Sequence, residues 1–409
     1  MSTLRFFKAA SRVDQPLSPA RAIYPMRFLL AFAQGGVISP LLPLLRETFQ
    51  VSPGELGLLT AMPGLSAVVM DISATYLLSR RPLLSLLLQG IGLTGIALLC
   101  SMLAPGFYWL IATQMLLGFG VSLTRVASLM VVVAATPRTE QGRANNLLEF
   151  SAVAGITLSP TISGLTAAFL HWRVAFGVAS LFIVGALLWV LYARRTLSTA
   201  LTTPSSTPSP SSAPPTPAPA APVSAHRGTI GIAYITTFVQ SFVWSAFLST
   251  ALPLFAGEVV GASTSTLGLV FTAGLFADLL LLLPMGWLAD RLDVRLVLTP
   301  ALLLMAGALA WLPWATSVEG LFLVSIGLHT SFAAWGMPSA ALALCTPRER
   351  LTRTMGIYRL IVDGAVVIAP WLIGTMIGWY GYGLPAWGAA GLVVLLAVLV
   401  GFGLRTARP

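Results

Sequence analysis

Long apolar runs separated by short polar breaks make up almost the whole chain. Twelve can be marked: 24–44, 55–78, 83–104, 107–135, 143–168 and 174–193, then 228–252, 267–289, 296–315, 320–345, 354–379 and 387–404. A helix needs ~20 residues to cross a hydrocarbon layer of ~30 Å. In lipid every backbone amide must be satisfied within the spanning structure, which leaves helices or a closed barrel. The runs are too long and too uniformly apolar for barrel strands. The pattern predicts an all-α membrane protein of twelve transmembrane helices.

One segment interrupts the rhythm. Residues 198–226 are almost entirely Pro, Ser, Thr and Ala, with no acid and too few large apolar side chains for a core, the composition of a disordered tether with polyproline character. It divides the helices six and six. The expected organisation is an N-terminal tail (1–23), a six-helix bundle (24–193), a linker (194–227), a second six-helix bundle (228–404) and a short tail (405–409). Binding of a partner by the proline runs is the alternative to a plain tether.

The halves repeat. Met70 to Arg80 aligns without gaps on Met285 to Arg295, sharing Met, Ala, Leu and Arg. Thr136 to Gly164 aligns on Thr346 to Gly374 at an offset of 210, which pairs Arg143 with Arg353, Pro160 with Pro370 and Gly164 with Gly374. Parallel repeats related by an axis along the membrane normal are a known transporter architecture.

Composition narrows the class. The chain is 56% hydrophobic and 9% charged, against about a quarter charged in a soluble domain. The formal net charge of +10 invites a nucleic-acid reading, but the basic residues sit in short loops and not in a patch. With the N-terminus placed inside, every basic residue except Arg46, Arg125 and Arg173 falls on the inner side. That asymmetry puts both termini in the cytoplasm. No cleavable signal peptide precedes the first run, which serves as its own insertion signal. Cys100 and Cys345 lie in apolar runs without metal spacing and read as small buried hydrophobes. No metal cluster, nucleophile–base set or phosphate loop supports an enzyme, and no metal or cofactor is expected.

The stretch Gly286 to Arg295, GWLADRLDVR, is a tight charged turn between two apolar runs. It resembles the Gly-x-x-x-Asp-Arg-x-Gly-Arg-Arg loop of the major facilitator superfamily of transporters. Gly286, Asp290, Arg291 and Arg295 match, and Asp293 stands where a glycine is usual. The fifth helix, with Gly155, Pro160 and Gly164, resembles the proline-glycine pattern of the superfamily's drug:proton antiporters. The resemblance implies a carrier whose two halves rock about a site at the midplane. It also implies packing of the fifth helix on the eighth and the eleventh on the second. Glu149 then becomes a candidate partner for Arg291, and Asp71 for Arg359, as latches between the halves. An intrahelical Arg359–Asp363 pair is the alternative.

Charges inside a bilayer are costly and mark candidate sites. Asp278 and His329 are the proton-coupling candidates, since a carboxyl and an imidazole at midplane can load and release a proton; a helix-to-helix hydrogen bond is the alternative for each. Arg125 lies eleven residues after Gln114, three turns on the same face. The family often carries an arginine at the Gln114 position, beside glycines like Gly118 and Gly120. Arg125 either pairs with Glu149 or holds an anionic part of the substrate. Gln34, Gln240, Trp244, Phe247 and Trp335 complete the substrate-binding candidates, the middle three by i, i+4, i+7 spacing; packing is the alternative for such aromatics. Pro370 and Gly374 repeat the bend of the fifth helix.

This inventory, poor in charge, points first to proton-driven export (efflux by antiport) of a small apolar or amphipathic molecule from a bacterial inner membrane by a monomer. The alternatives are proton-coupled uptake of a small organic anion through Arg125, and a non-transporting sensor or scaffold. The expected partners are a small molecule, protons and lipid, with no nucleic acid.

Overall fold

The computed structural model describes residues 19–136, 141–197 and 227–404. Residues 1–18, 198–226 and 405–409, which hold most of the expected tails and linker, lie outside the described residues. So do the side chains of Gly286 and Asp290.

Among the described residues, twelve helices are long and apolar enough to cross a membrane. They are α1 (Arg21–Phe49), α2 (Pro53–Arg80), α3 (Leu83–Met102), α4 (Phe107–Ala135), α5 (Gln141–Phe169) and α6 (Trp172–Tyr192). The second set is α7 (Gly228–Glu258), α8 (Thr264–Arg291), α9 (Val294–Trp314), α10 (Val318–Cys345), α11 (Arg348–Tyr380) and α12 (Gly383–Gly403). Several run past the apolar segment that predicts them, because their charged ends continue the helix beyond the apolar layer.

Sharp caps set many of these ends. Ser52 and Glu55 form a reciprocal capping box at the start of α2, Ser263 caps α8 and Ser317 caps α10. Such caps are worth about 1 kcal/mol each. Asp293, the residue that departs from the family loop, accepts from the Arg295 amide at 3.2 Å and caps α9. A carboxylate at a helix start suits the helix dipole.

The helices alternate in direction, so the ends at Arg21 and Gly403 share one face, termed here the terminal face. Each six-helix set encloses its own apolar core, one built around Leu30, Leu59 and Phe176, the other around Phe247, Leu302 and Val393. The sets meet where α2 packs on α11 and α5 on α8, as the family resemblance implies. Besides the 3-10 turn that ends α9 at Leu312–Trp314, three of the described helices depart from α geometry along their length. α1 breaks at Gly35–Gly36 into a short 3-10 turn at Ser39–Leu41; α7 winds as a π-helix over Trp244–Ala251; α10 loosens at residues 333–336. Such irregularities occur in membranes where protein or a cavity surrounds the backbone.

Candidate functional site

A cavity of about 300 Å³ lies within the first six-helix set, on its side toward the second half, with Arg27 and Gln34 of α1, Gln114 and Arg125 of α4 and Thr60 of α2 among its walls and Ser249 of α7 as its contact with the second half. Apolar side chains such as Ile156 and Phe176 fill the rest of the lining. Gln114 is 2% exposed, and its Nε2 has no hydrogen-bond partner; the Nε2 of Gln34 is equally unpartnered. A buried amide without a partner costs on the order of 1–3 kcal/mol, so these donors are poised for something that enters the cavity. The charge-poor inventory of the sequence does not match this lining, since two guanidiniums face the same space.

Arg125 pairs with Asp71, not with Glu149. Its Nη2 lies 2.7 Å from Asp71 Oδ2, and Ser122 one turn earlier donates to the other oxygen of the same carboxylate. Arg359 approaches Asp71 Oδ2 at 3.3 Å from across the halves and holds Asp363 at 3.0 Å along its own helix. Both sequence alternatives for Arg359 are therefore made at once. The result is a charge-balanced cluster of two carboxylates and two guanidiniums that joins α2, α4 and α11. Arg291 lies over the Trp287 ring at 4.1 Å, and Glu149 is exposed and forms no ion pair with it. Toward the terminal face, then, the described link between the halves is the Asp71–Arg359 pair.

Toward the far face the halves are sealed, and largely through backbone. A Cβ at Gly57 of α2 would strike the Pro370 carbonyl oxygen of α11; a Cβ at Gly268 of α8 would strike the Pro160 carbonyl oxygen of α5 and meet Thr161 Cα at 2.9 Å. The two seals are copies of each other, because Pro160 and Pro370 are equivalent in the repeat. Gly164 and Gly374 repeat the same close approach one turn further, against the Thr264 and Pro53 carbonyls. Gly155 instead packs on the α1 backbone at Phe28. Threonine hydroxyls supplement the seal, with Thr161 and Thr272 at 2.7 Å, Thr272 donating to the Thr157 carbonyl at 2.9 Å, and Thr60 and Thr250 at 2.9 Å.

At its rim Arg46 pairs with Glu258, which also accepts from the Tyr382 hydroxyl at 2.7 Å. Burial pushes the Tyr382 phenol up from its ordinary range, so it stays a donor at any physiological pH. The Arg46 and Glu258 side chains are 33% and 28% exposed, a setting in which an ion pair contributes little. Glu258→Gln should keep the Tyr382 bond and cost less than ~1 kcal/mol in a thermal-unfolding comparison; a larger loss would make this pair part of the seal's strength.

Asp278 sits on α8, half-buried, with no ion pair or hydrogen bond among the described residues. His329 is 2% exposed and donates from Nδ1 to the Ser325 carbonyl at 2.8 Å. Its ring meets Trp244 edge-on at 5.8 Å and Phe271 at 6.5 Å, and Trp244 continues onto Phe332 and Trp335 at 5.0 and 6.0 Å. Phe247 and Gln240 are both 1% exposed, with the Gln240 Nε2 unpartnered. The central cavity thus brings together Gln34 and Arg125 of the sequence candidates; Gln240, Trp244, Phe247 and Trp335 belong to the packing of the second half. Phe276 and Trp371 are about half exposed on the outer surface.

Sequence reasoning missed Arg27, which lies in the first apolar run (24–44) but was counted only among the basic residues of the inner side. Seven residues before Gln34, it shares that residue's face two turns away, and this spacing is the signal that would have found it.

The model for the Major Facilitator Superfamily matches this chain over residues 26–258 and 230–409. A curated relative, an uncharacterized MFS-type transporter of Methanocaldococcus jannaschii, is 22% identical over 170 residues, which span 41% of this chain and 43% of that protein. Among solved structures, a D-xylose-proton symporter superposes with a TM-score of 0.75 at 16% identity, covering 95% of this chain and 98% of the other. The xylose transporter XylE from E. coli in an inward-open conformation gives 0.70 at 15%, covering 94% and 96%. A bacterial homolog of the human lysosomal transporter Spinster, inward-facing and unoccupied, gives 0.60 at 17%, covering 95% and 91%.

Proposed function

Because this chain belongs to the Major Facilitator Superfamily, a family of multi-pass membrane transporters, we propose that it carries a small organic molecule by alternating access, coupled to protons. The supporting observation is the asymmetry of contacts around the central cavity. The halves are sealed by backbone on the far face, while on the terminal face Glu149 and Arg291 stand apart and the described link is an ion pair. Rocking of one half against the other would exchange the two arrangements. The excess of arginine near the terminal face supports placing that face in the cytoplasm of a bacterial inner membrane. Gly286 and Asp290 in the last turns of α8 and Arg295 in the first turn of α9 then belong to the inner corner that closes when the cavity opens outward, with Glu149–Arg291 as its second latch.

We assign proton coupling to Asp278. Taking up a proton there breaks no ion pair, and a carboxyl in a span without a counter-charge is a functional residue by default. His329, enclosed by aromatic rings and tied to its own helix, is better suited to packing. Asp278→Asn should abolish flux driven by an imposed pH gradient while leaving counterflow exchange of substrate within about twofold. Unchanged gradient-driven flux in proteoliposomes would remove Asp278 from the mechanism.

Export is the direction favoured by the α5 pattern, whose Pro160 and Gly164 lie in the far-face seal. Uptake of an organic anion is the second reading, favoured by the guanidiniums of Arg27 and Arg125 in the cavity lining. Inside-out vesicles with an imposed pH gradient separate the two by the sign of substrate movement.

A further inference from the structure

We propose that the central cavity selects a monocarboxylate with an apolar body, and that Arg27, not Arg125, holds the carboxylate. The proposal rests on the transport reading above but concerns the charge of the cargo, not its direction.

Charge balance distinguishes the two arginines. Arg125 and Arg359 are matched by Asp71 and Asp363 within one bonded cluster. A carboxylate arriving at Arg125 would have to compete with one already in place. Arg27 is 8% exposed, lines the same cavity, and forms no ion pair or hydrogen bond among the described residues. Glu149 attracts it through space but forms no ion pair with it among the described residues, so it does not occupy the guanidinium's hydrogen-bond donors. A guanidinium held in a membrane span without a bound counter-charge is costly, and an anion entering the cavity removes that cost. One unmatched positive charge calls for one negative charge.

The rest of the lining describes the remainder of the ligand. Arg27 and Gln34 are two turns apart on α1, about 10 Å along the axis. At the deeper level Gln34 and Gln114 each offer an Nε2 donor without a partner. Between and around them lie apolar side chains such as Val121 and Ile156. Amide donors suit a neutral acceptor, a carbonyl or ether, on an apolar skeleton. A planar guanidinium suits a carboxylate because two parallel hydrogen bonds can form.

The test is a calorimetric titration of the full-length protein in lipid nanodiscs, with empty nanodiscs as blank. The probes are benzoate and phenylacetate, each against its neutral amide. The expected result is at least tenfold tighter binding of the acids than of the amides. Arg27→Gln should remove that discrimination, Arg27→Lys should restore part of it, and Gln114→Leu should weaken acid and amide alike. Thermal unfolding of each variant confirms that it is folded; if Arg27→Gln is not, Arg27→Lys and Gln114→Leu carry the test. Equal affinity for acids and amides, no binding of either acid, or unchanged discrimination in Arg27→Gln would overturn the proposal. Transport of a neutral compound with the site intact would overturn it and leave the alternating-access reading standing. Retained acid binding in a protein that moves nothing across vesicles would do the reverse.

Discussion

Asp71→Asn should lower transport at least tenfold and destabilise the protein by about 2 kcal/mol, below the roughly 3–5 kcal/mol of a fully buried broken pair because the side chain is 18% exposed. One carboxylate here receives Arg125, Arg359 and Ser122. Its loss leaves two guanidiniums facing each other with only Asp363 between them. Repulsion between them pushes α11 away from α4, and with it the second half from the first. Arg359→Gln added to Asp71→Asn should restore most of the stability, since the charges balance again, but not the transport. The double-mutant comparison isolates this coupling. Additive losses of stability would show that Arg359 and Asp71 act independently, and the latch between halves would have to lie elsewhere.

Gly268→Leu should abolish transport without unfolding either half. The added side chain meets the backbone of Pro160 and Thr161, which belong to the opposite set of helices, so the clash exists only while the far-face seal is closed. Main chain at that distance has no rotamer to yield. The population moves to arrangements in which the seal is open. A cysteine introduced at Ser249, in the cavity wall, should be labelled by an impermeant maleimide from the far face several-fold faster in the Gly268→Leu background. Gly57→Leu, the repeat-related site, should do the same. Unchanged labelling and flux in both variants would mean that these contacts do not gate the cavity.

Much of the fold could be read from residue order alone. Run length identifies twelve spans because a hydrocarbon layer imposes a minimum, and the repeat offset anticipates which prolines occupy equivalent places. Asp71 with Arg359 was also legible, through the loop motif. Other features depend on register between helices, which no single helix encodes. Arg125 finds Asp71 because α2 runs beside α4, with Ser122 and Arg125 at the height of Asp71; nothing local favours it over Glu149. Gly57 and Gly268 read as ordinary small residues until the opposing carbonyls are known. The i, i+4, i+7 grouping of Gln240, Trp244 and Phe247 assumes an α turn throughout, and α7 becomes a π-helix at Trp244. Arg27 was hidden by its place near the start of the first apolar run, where it read as one more inner-side arginine; the helix begins at Pro19 in the structure, which sets Arg27 two turns inside it.

The far-face seal is made chiefly of carbonyl oxygens set against glycine, with threonine hydroxyls beside them. Main chain cannot be edited by substitution except where glycine gives way to something larger. The walls of the cavity, by contrast, are side chains, open to replacement one at a time. A lineage built this way can change its clientele by drift at positions such as Gln34, Gln114 or Ile156 while the mechanical part is inherited unaltered.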